Sequence, residues 1–358
     1  MVAFGVYVHI PFCTHRCDYC AFATWTDRAH LMDEYAQACI AFLRTSEGAA
    51  DFPTATSVFF GGGTPSLLPA GSLVRILAAV ARTPDAEVTV ECNPDTVTPA
   101  LLDAYLAGGV NRLSFGVQSM APHVLRGLGR THSVDAVTSA VGWAVAAGFA
   151  SWNVDLIFGG FGECDSDWQS TLDVVVDLGA PHVSAYALTV ESGTPLARDP
   201  ARHPDDDVLA SRYLMASSTL AAAGLDNYEI SNWARPGHEC RHNELYWRQG
   251  DYLGVGCAAH SHVAGRRCWN VRTPERWISL VADGQSVEAG AETLDVEARR
   301  REGLELSLRT RAGVPVGALS EADRLLLAER GLIEPGGRGL VLTVAGRLLA
   351  NEVTIRLV

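Results

Sequence analysis

The stretch YVHIPFCTHRCDYCAF, residues 7 to 22, decides how the rest of the chain is interpreted. Apolar and polar side chains alternate at its start, which predicts a strand near 5–10. Cys13, Cys17 and Cys20 follow directly, so three thiols share one short loop after a strand. A [4Fe-4S] cluster usually takes four thiolates. Three on one loop therefore predict a cluster whose fourth iron is open to a ligand that is not a protein side chain.

A zinc site, or thiols with no common role, is the alternative interpretation of this loop. The chain has nine cysteines, an odd number, and six of them are scattered at 39, 92, 164, 240, 257 and 268. This distribution argues against a disulfide framework and favours a reducing compartment. An oxygen-sensitive cluster needs such a compartment.

Short apolar strands alternate with amphipathic helices in the first half of the chain. Strands are predicted near 5–10, 56–60, 87–92, 111–115, 152–158 and 183–188, and helices near 27–46, 70–82, 98–107, 133–147 and 166–178. Six strand–helix units in this order predict an α/β fold with a partial (β/α)6 barrel of the TIM type. Ligands of such barrels bind at the C-terminal ends of the strands.

The sequence divides into three predicted parts: a core barrel over 1–230, a connecting segment over 231–290 and a C-terminal α+β module over 291–358. The last part reads as helices around a hairpin and resembles a winged helix. Its ten acidic side chains balance ten arginines, so the basic surface of a DNA reader is missing. We expect this module to cover the open barrel as a lid.

Charge and composition limit the partners. The net charge of −13 opposes binding to nucleic acid or to an anionic membrane surface. All 28 basic residues are arginine, which excludes a Schiff-base lysine and a P-loop of the usual type. No secretory signal is visible at the start, and no apolar run is long enough to span a membrane. A cytoplasmic location is expected, with peripheral contact at the inner face of the membrane as the alternative.

Polar residues and glycines follow the predicted strands in register with the cysteine loop. The glycines of FFGGGTP, residues 59 to 65, let the backbone approach a ligand closely. Glu91, Gln118 and Asp155 stand at the ends of later strands, and Arg130 lies in the segment LGRTH. Because the barrel core is otherwise apolar, these residues predict a ligand site, with a structural hydrogen bond as the alternative for each.

The cysteine loop and the residues before it resemble the oxygen-independent coproporphyrinogen III oxidase-like group of the radical S-adenosylmethionine (SAM) superfamily. This resemblance implies that the open iron binds SAM, and that an electron donor is needed if SAM is cleaved. It implies SAM contacts at Tyr7, Tyr19, Gly62, Gly63, Thr64, Glu91, Gln118, Arg130 and Asp155. Gln118, Arg130 and Asp155 match contacts to a second SAM in the oxidase, so binding of one SAM and binding of two are alternatives. Tyr19 has an equal alternative role in packing the loop.

One departure from the group lies after the fifth predicted strand, where GGFGE at 159–163 replaces a GLPGQ-like turn. Loss of the proline makes this turn more permissive. We therefore predict the contact of Asp155 but none from the following loop.

A second segment, HNELYW at 242–247, matches the HNxxYW motif typical of HemW-like heme chaperones. Cys20 is followed by Ala21 and Phe22, whereas the oxidase has a further cysteine two places later. Only six residues precede Tyr7, so the oxidase's N-terminal extension is not expected. The resemblance implies a heme chaperone with respiratory hemoproteins as acceptors. The alternatives are a radical SAM enzyme, either a coproporphyrinogen III oxidase or a methyltransferase, and, less favoured, a winged-helix regulator.

His242 of this motif is the predicted axial ligand of heme iron, since histidine binds heme iron well. Tyr246 and Trp247 could stack on a porphyrin, and Arg241 could meet a propionate. Rival ligands are His238, His260, His262, Cys240 and Cys257. The alternative is that the motif only packs its segment against the barrel.

Overall fold

Strands and helices alternate through the computed structural model, which describes residues 3–45 and 52–358. The strands are β1 Phe4–Ile10, β2 Ala55–Gly62, β3 Arg82–Cys92, β4 Arg112–Gln118, β5 Ser151–Phe158, β6 His182–Ala187, β7 Asp226–Glu229, β8 Asn232–Ala234, β9 Asp251–Val255, β10 His260–Val263, β11 Arg266–Asn270, β12 Glu288–Thr293, β13 Ile333–Gly336 and β14 Gly339–Leu342. The helices are α1 Met32–Arg44, α2 Ala70–Ala79, α3 Pro99–Gly108, α4 Pro122–Gly127, α5 Val134–Ala147, α6 Asp165–Asp177, α7 Asp206–Ala222, α8 Arg241–Trp247, α9 Pro274–Ala282, α10 Val296–Leu308, α11 Glu321–Glu329, α12 Val344–Leu348 and α13 Ala350–Thr354.

The six predicted barrel strands are confirmed as β1 to β6, which pair in parallel and in chain order. They form the middle of one 12-stranded sheet with the order β12-β11-β10-β9-β1-β2-β3-β4-β5-β6-β8-β7. The sheet ends at β12 and β7 and does not close into a barrel. Parallel pairing brings the C-terminal ends of all six strands to one edge, where the cysteine loop also lies.

The predicted connector contributes strands to this sheet. After α8, strand β9 pairs in parallel with β1, and β10 to β12 continue from it as antiparallel strands. On the opposite edge, β8 and β7 pair antiparallel beside β6. These strands are short, and the pairings that attach them to the central strands, β9 with β1 and β8 with β6, are long-range, so local patterning gave little sign of them.

Capping residues fix the helix ends that the sequence predicted well. The Thr98 side chain accepts a hydrogen bond from the Leu101 amide at the start of α3, and Ser133 does the same at the start of α5. Gly109, with φ of 94°, ends α3 in the left-handed conformation that glycine tolerates. The prediction at 27–46 is less accurate, because α1 begins only at Met32 after a 3-10 turn. Its residue 46 lies outside the described residues.

Two large apolar cores and a third, small cluster around Val124, Leu128 and Leu196 are present in the described part of the chain. The larger core lies between the sheet and its helices and includes Val6, Val8 and Ile10 of β1. The second core includes Leu308, Val314, Leu327, Ile333, Leu342 and Val353 and lies within the C-terminal residues. The second core forms between α10 to α13 and the β13–β14 hairpin, as expected for a winged-helix-like module.

Candidate cluster and cofactor site

The cysteine loop is fastened to the ends of β1 and β2 by backbone hydrogen bonds. The Cys13 amide donates to the Trp25 carbonyl at 3.0 Å. The Gly63 and Thr64 amides donate to the carbonyls of Ile10 and Phe12, each at 2.8 Å. The loop therefore leaves the sheet edge in a fixed direction.

A second set of contacts fixes the far side of the loop. The Asp18 amide donates to the Leu128 carbonyl at 3.2 Å, and the Leu196 amide donates to the Asp18 carbonyl at 3.0 Å. The Arg202 guanidinium forms an ion pair with the Asp18 carboxylate at 2.8 Å. Arg202 belongs to the stretch RDPARHPDDD at 198–207, which the sequence alone predicts to be an exposed turn before the next helix. Most of this stretch is exposed, as predicted, and Arg202 in addition helps to hold the cysteine loop in place.

The three thiols are half-buried and have donors beside them. The Thr64 hydroxyl lies 3.6 Å from Cys13 Sγ, and Arg130 Nη1 lies 3.5 Å from Cys17 Sγ. Burial raises the pKa of the Cys13 and Cys20 thiols. Ionised sulfur at these positions therefore needs a compensating cation, which iron would provide.

The arrangement of the thiols bears on the zinc alternative. In residues 3–45 and 52–358, no three His, Cys, Asp or Glu side chains are close enough together to share one metal ion. A mononuclear zinc site needs such a group. In a [4Fe-4S] cluster each thiolate binds its own iron, so a cluster does not require the three sulfurs to meet at one metal ion.

Above the sheet edge, the cysteine loop opens into a cavity of about 630 Å³, here called the upper cavity. It is lined by eight of the nine predicted SAM residues: Tyr19, Gly62, Gly63, Thr64, Glu91, Gln118, Arg130 and Asp155. Its volume lies within the range of small-molecule sites. The strand-end residues predicted from sequence thus meet in one place.

Tyr7 is the predicted SAM residue that does not line the upper cavity. It lines an adjoining cavity of about 180 Å³ inside the sheet, here called the lower cavity, which shares Glu91, Ser114, Asp155 and Tyr186 with the upper cavity. Its hydroxyl donates to His9 Nδ1 at 3.1 Å, and His9 Nε2 donates to the Ala23 carbonyl at 2.9 Å. Burial lowers the pKa of His9, so the neutral ring can accept from one side and donate on the other. In this structure Tyr7 acts on the cysteine loop through His9.

The glycine turn after β2 is required by its contacts with the cysteine loop. A Cβ on Gly63 would lie 2.7 Å from the Phe12 carbonyl oxygen, 2.8 Å from that of Ile10 and 3.1 Å from Cys13 Sγ. Gly62 has φ of 110°, a conformation that other residues rarely adopt. The sequence suggested that the glycines admit a ligand; the structure shows that they also admit the loop that carries the cysteines.

Gly63→Ala is accordingly expected to lose most of its cluster. Its Cβ would meet two backbone oxygens that cannot rotate away, so the cysteine loop must shift. Iron and sulfide contents after anaerobic reconstitution measure this loss. Gly71→Ala is the matched control, since a Cβ there meets nothing within 4 Å; an intact cluster in Gly63→Ala would show that the close approach is not needed.

Arg130 is held by four acceptors around the upper cavity. Besides Cys17, it donates to the Gly116 carbonyl at 2.7 Å, to Asn93 Oδ1 at 3.1 Å and to His132 Nδ1 at 3.2 Å. Burial and the Arg130 charge lower the pKa of His132 to about 4, so its ring is neutral. Sequence reasoning missed Asn93 and His132, although the histidine of LGRTH offered a signal.

Gln118 combines two unfavourable features at the rim of the site. Its φ is 61°, next to an irregular register between β4 and β5, and its side chain is buried. Its Oε1 atom has no hydrogen-bond partner among the described residues. Strained backbone and unpaired buried acceptors are rare except where a ligand uses them. Gln118 thus fits a ligand that donates a hydrogen bond into the upper cavity.

Two carboxyl groups face the same space. Glu91 Oε2 accepts from the Gly62 amide at 3.1 Å, while burial and the neighbouring Asp155 raise the pKa of Glu91 to about 8. Asp155 is held by Ser114 and Asn153, each at 2.8 Å, and burial raises its pKa as well. Close acidic groups of this kind are stabilised by a cationic or hydrogen-donating ligand. The amino group and sulfonium of SAM have that character.

The GGFGE loop is fixed in a different way. Glu163 forms a buried ion pair with Arg212 at 2.7 Å and accepts from the Gly159 amide at 2.7 Å. None of residues 159–163 lines the upper cavity. This placement agrees with the expectation that Asp155, and not the following loop, faces the site.

The HNELYW segment forms α8 at the other end of the strands, away from the cysteine loop. His242 lies next to Gly5 and Ser57, near the starts of β1 and β2. The Glu87 carboxylate, near the start of the parallel part of β3, accepts from the backbone amides of Arg241 and His242 at 3.2 and 3.1 Å. The motif therefore seals the N-terminal end of the sheet.

His242, the predicted axial ligand of heme iron, has both ring nitrogens hydrogen-bonded within the protein. One ring nitrogen is hydrogen-bonded to Ser57 Oγ at 2.9 Å and the other to the Tyr246 hydroxyl at 2.8 Å. The ring stacks on Phe59, and burial lowers the pKa of His242 to about 3. It faces the lower cavity, whose 180 Å³ is below the range of small-ligand sites.

The rival ligands are distributed differently. Cys240, Cys257 and His262 are buried, and His262 Nδ1 donates to the Gly250 carbonyl at 3.0 Å. His238 Nδ1 is 3.2 Å from Ser151 Oγ. His260, at the start of β10, is exposed. These positions do not converge on a common heme site.

The C-terminal module does not act as the expected lid. None of the residues that line the upper cavity comes from 291–358. The module packs instead on the helices α7 and α8 and on the chain after β7, where the Ile230 amide donates to the Arg309 carbonyl at 3.0 Å. The C-terminal module therefore leaves the upper cavity uncovered.

The fold and the cysteine site together define a protein of the radical SAM class. Residues 7–175 match the radical SAM superfamily. Among solved structures, the coproporphyrinogen III oxidase (HemN) from Escherichia coli, a radical SAM enzyme, superimposes with a TM-score of 0.85. Its sequence is 23% identical, and the superposition covers 99% of this chain and 89% of the oxidase chain. That likeness shows the shared fold.

Curated relatives narrow the class. The heme chaperone HemW of Mycobacterium tuberculosis is 44% identical over 98% of this chain and 93% of its own length. HemW of Bacillus subtilis is 32% identical over 98% of this chain and 97% of its own length. HemW of Escherichia coli is 38% identical over 72% of this chain and 70% of its own length. The chain belongs to the HemW heme chaperone family. Its radical SAM fold implies a [4Fe-4S] cluster and SAM as cofactors. In the described residues no helix is both long and apolar enough to cross a bilayer.

Proposed function

We propose that this protein is a heme chaperone that binds a [4Fe-4S] cluster, SAM and heme and delivers heme to respiratory hemoproteins. The similarity to HemW of Mycobacterium tuberculosis along almost the whole chain carries this proposal. The cluster is assigned to Cys13, Cys17 and Cys20, and SAM to the upper cavity. When bound, the cluster supplies an iron with an open position and, once reduced by an electron donor, one electron.

The residues of the chain prepare this site before any ligand arrives. Arg130 fixes the Cys17 sulfur, and Gly63 lets the cysteine loop lie against the end of β2. Glu91 and Gln118 present acceptors to the cavity. Preorganised polar groups of this kind orient a ligand with little reorganisation.

Position 22 supports the chaperone over the oxidase. Phe22, at the place where the oxidase group has a further cysteine, is 63% exposed and lines the upper cavity. All nine cysteines of the chain are free, which suits the reducing cytoplasm that we propose as its location. Peripheral contact with the inner face of the membrane would bring it close to respiratory acceptors.

The decisive experiment compares heme binding with porphyrinogen turnover. Anaerobically reconstituted protein should bind about one heme per chain, as expected for a carrier with a single site. With SAM and a reductant it should leave coproporphyrinogen III unchanged. Sustained decarboxylation would overturn the chaperone proposal in favour of the radical SAM oxidase.

Glu91→Gln is expected to weaken SAM binding about tenfold, because a cationic ligand would favour the ionised carboxyl of Glu91, and the amide keeps the shape of the side chain but cannot ionise. In the wild type, the paramagnetic resonance of the reduced cluster should shift when SAM is added. The same shift in the variant should need about ten times more SAM. Glu329→Gln, an exposed change in the C-terminal module, is the control. A wild-type resonance signal that stays unchanged at saturating SAM would contradict the open iron site.

A further inference from the structure

A third cavity, of about 550 Å³, lies between the end of α8 and the C-terminal module; we call it the arginine cavity. It shares no lining residue with the upper or the lower cavity. Trp247, the last residue of HNELYW, forms part of its wall together with residues of α10. His242 of the same motif faces the sheet, so the short helix α8 separates the lower cavity from the arginine cavity.

The lining of this cavity is positively charged in a chain whose net charge is −13. Four arginines line it, Arg248, Arg300, Arg311 and Arg338, against the single lining carboxylate of Glu244. Three of these arginines have ion-pair partners, namely Glu244, Glu297 and Glu239. Arg338 has no side-chain partner within the described part of the chain and is exposed at the cavity. An anionic ligand is therefore favoured.

An aromatic wall accompanies the charge. The Arg309 guanidinium lies over the Trp247 ring, 5.1 Å from its centroid, and so holds the indole in place. Arg309 itself does not line the cavity, so the acceptors of a ligand would meet the arginines of the lining. A flat ring that carries carboxylates would offer both a stacking face and acceptors.

We propose that the tetrapyrrole binds in the arginine cavity, with its ring against Trp247 and its carboxylates toward Arg311 and Arg338. This assignment rests on the proposed function, which makes heme the ligand. The arginines and the Trp247 ring of the cavity, taken alone, favour any flat and largely apolar anion. Arg–carboxylate pairs are strong and directional, and aromatic stacking suits a macrocycle.

The cavity offers the iron no ligand. Its lining contains no histidine, cysteine or methionine. The Tyr228 hydroxyl in its wall is already hydrogen-bonded to His182 Nε2 at 2.8 Å and to the Cys240 amide at 3.3 Å. The protein thus recognises the ring and its carboxylates and leaves the iron free for the axial ligands of an acceptor. Metal-free protoporphyrin should therefore bind about as well as heme.

The experiment titrates reconstituted protein with heme and with metal-free protoporphyrin IX, followed by absorbance and tryptophan fluorescence. We expect the two dissociation constants to agree within about threefold. Arg311→Gln combined with Arg338→Gln should weaken both about tenfold, or about 1.4 kcal/mol. Arg330→Gln, an exposed arginine of the same module outside the cavity, is the control. Circular dichroism confirms that each variant is folded.

The outcomes separate the site from the function. Heme binding by the wild type that the double variant leaves unchanged would overturn the arginine cavity and keep the chaperone. Heme binding without protoporphyrin binding would overturn recognition through the ring, since the iron would then be required. Failure of the wild type to bind heme would overturn both proposals.

Discussion

Changing Cys13, Cys17 and Cys20 together to alanine is expected to remove all cluster iron, about four irons per chain. The three thiols lie on one loop that the backbone holds in place on both sides, and no other cysteine lines the upper cavity except Cys92. Cys92 is buried, and burial raises the pKa of its thiol, so it is a poor substitute ligand. Iron and sulfide analysis, together with visible absorption after anaerobic reconstitution, measures the loss.

Two controls sharpen this test. Cys268→Ala removes a half-buried thiol far along the chain and should keep the full cluster. The triple variant should still bind heme, because the arginine cavity shares no lining residue with the upper cavity. Retention of wild-type iron and absorption by the triple variant would show that the cysteine loop is not the cluster site.

The central strands were predictable because their signals are local. β1 to β6 are apolar runs that alternate with helices, and side chains such as Thr98 and Ser133 mark where helices begin. Parallel order then places Glu91, Gln118 and Asp155 at one sheet edge. Eight of the nine predicted SAM residues line one cavity for this reason.

Features that depend on distant partners could not be predicted in this way. The pairing of β1 with β9 joins residues more than 240 positions apart. The ion pair between Asp18 and Arg202 spans 184 positions. The left-handed backbone of Gln118 follows from the irregular register between β4 and β5, which no local pattern shows. Contacts of this kind become visible only when the chain is folded.

The role of His242 shows the same limit. The HNELYW motif drew attention to the segment, but a histidine that binds iron and one that satisfies buried hydroxyl groups look alike in sequence. The hydrogen-bond partners of the His242 ring and backbone amide include Ser57 and Glu87, which lie more than 150 positions earlier. Residues at the end of a barrel where the strands begin usually serve stability.

His242→Ala is therefore expected to lower the free energy of unfolding by roughly 3 kcal/mol, through the cavity it creates and the lost partners of Ser57 and Tyr246. Urea unfolding under anaerobic conditions measures this change. His242→Gln, which can keep a hydrogen bond, should lose less. Folded His242→Ala should bind heme with wild-type affinity, because the ring lies outside the arginine cavity.

The protonation of His242 should also make the stability of the protein depend on pH. The pKa of His242 is about 3 in the folded protein against an ordinary value of 6.5, so between these values the unfolded chain binds a proton that the folded chain excludes. Acidification from pH 6.5 thus costs the wild type up to about 1.4 kcal/mol per pH unit at this residue. His242→Gln lacks this penalty, so the stability advantage of the wild type should shrink as the pH falls. A His242→Ala protein that is as stable as the wild type but has lost its heme absorption would instead establish His242 as the iron ligand.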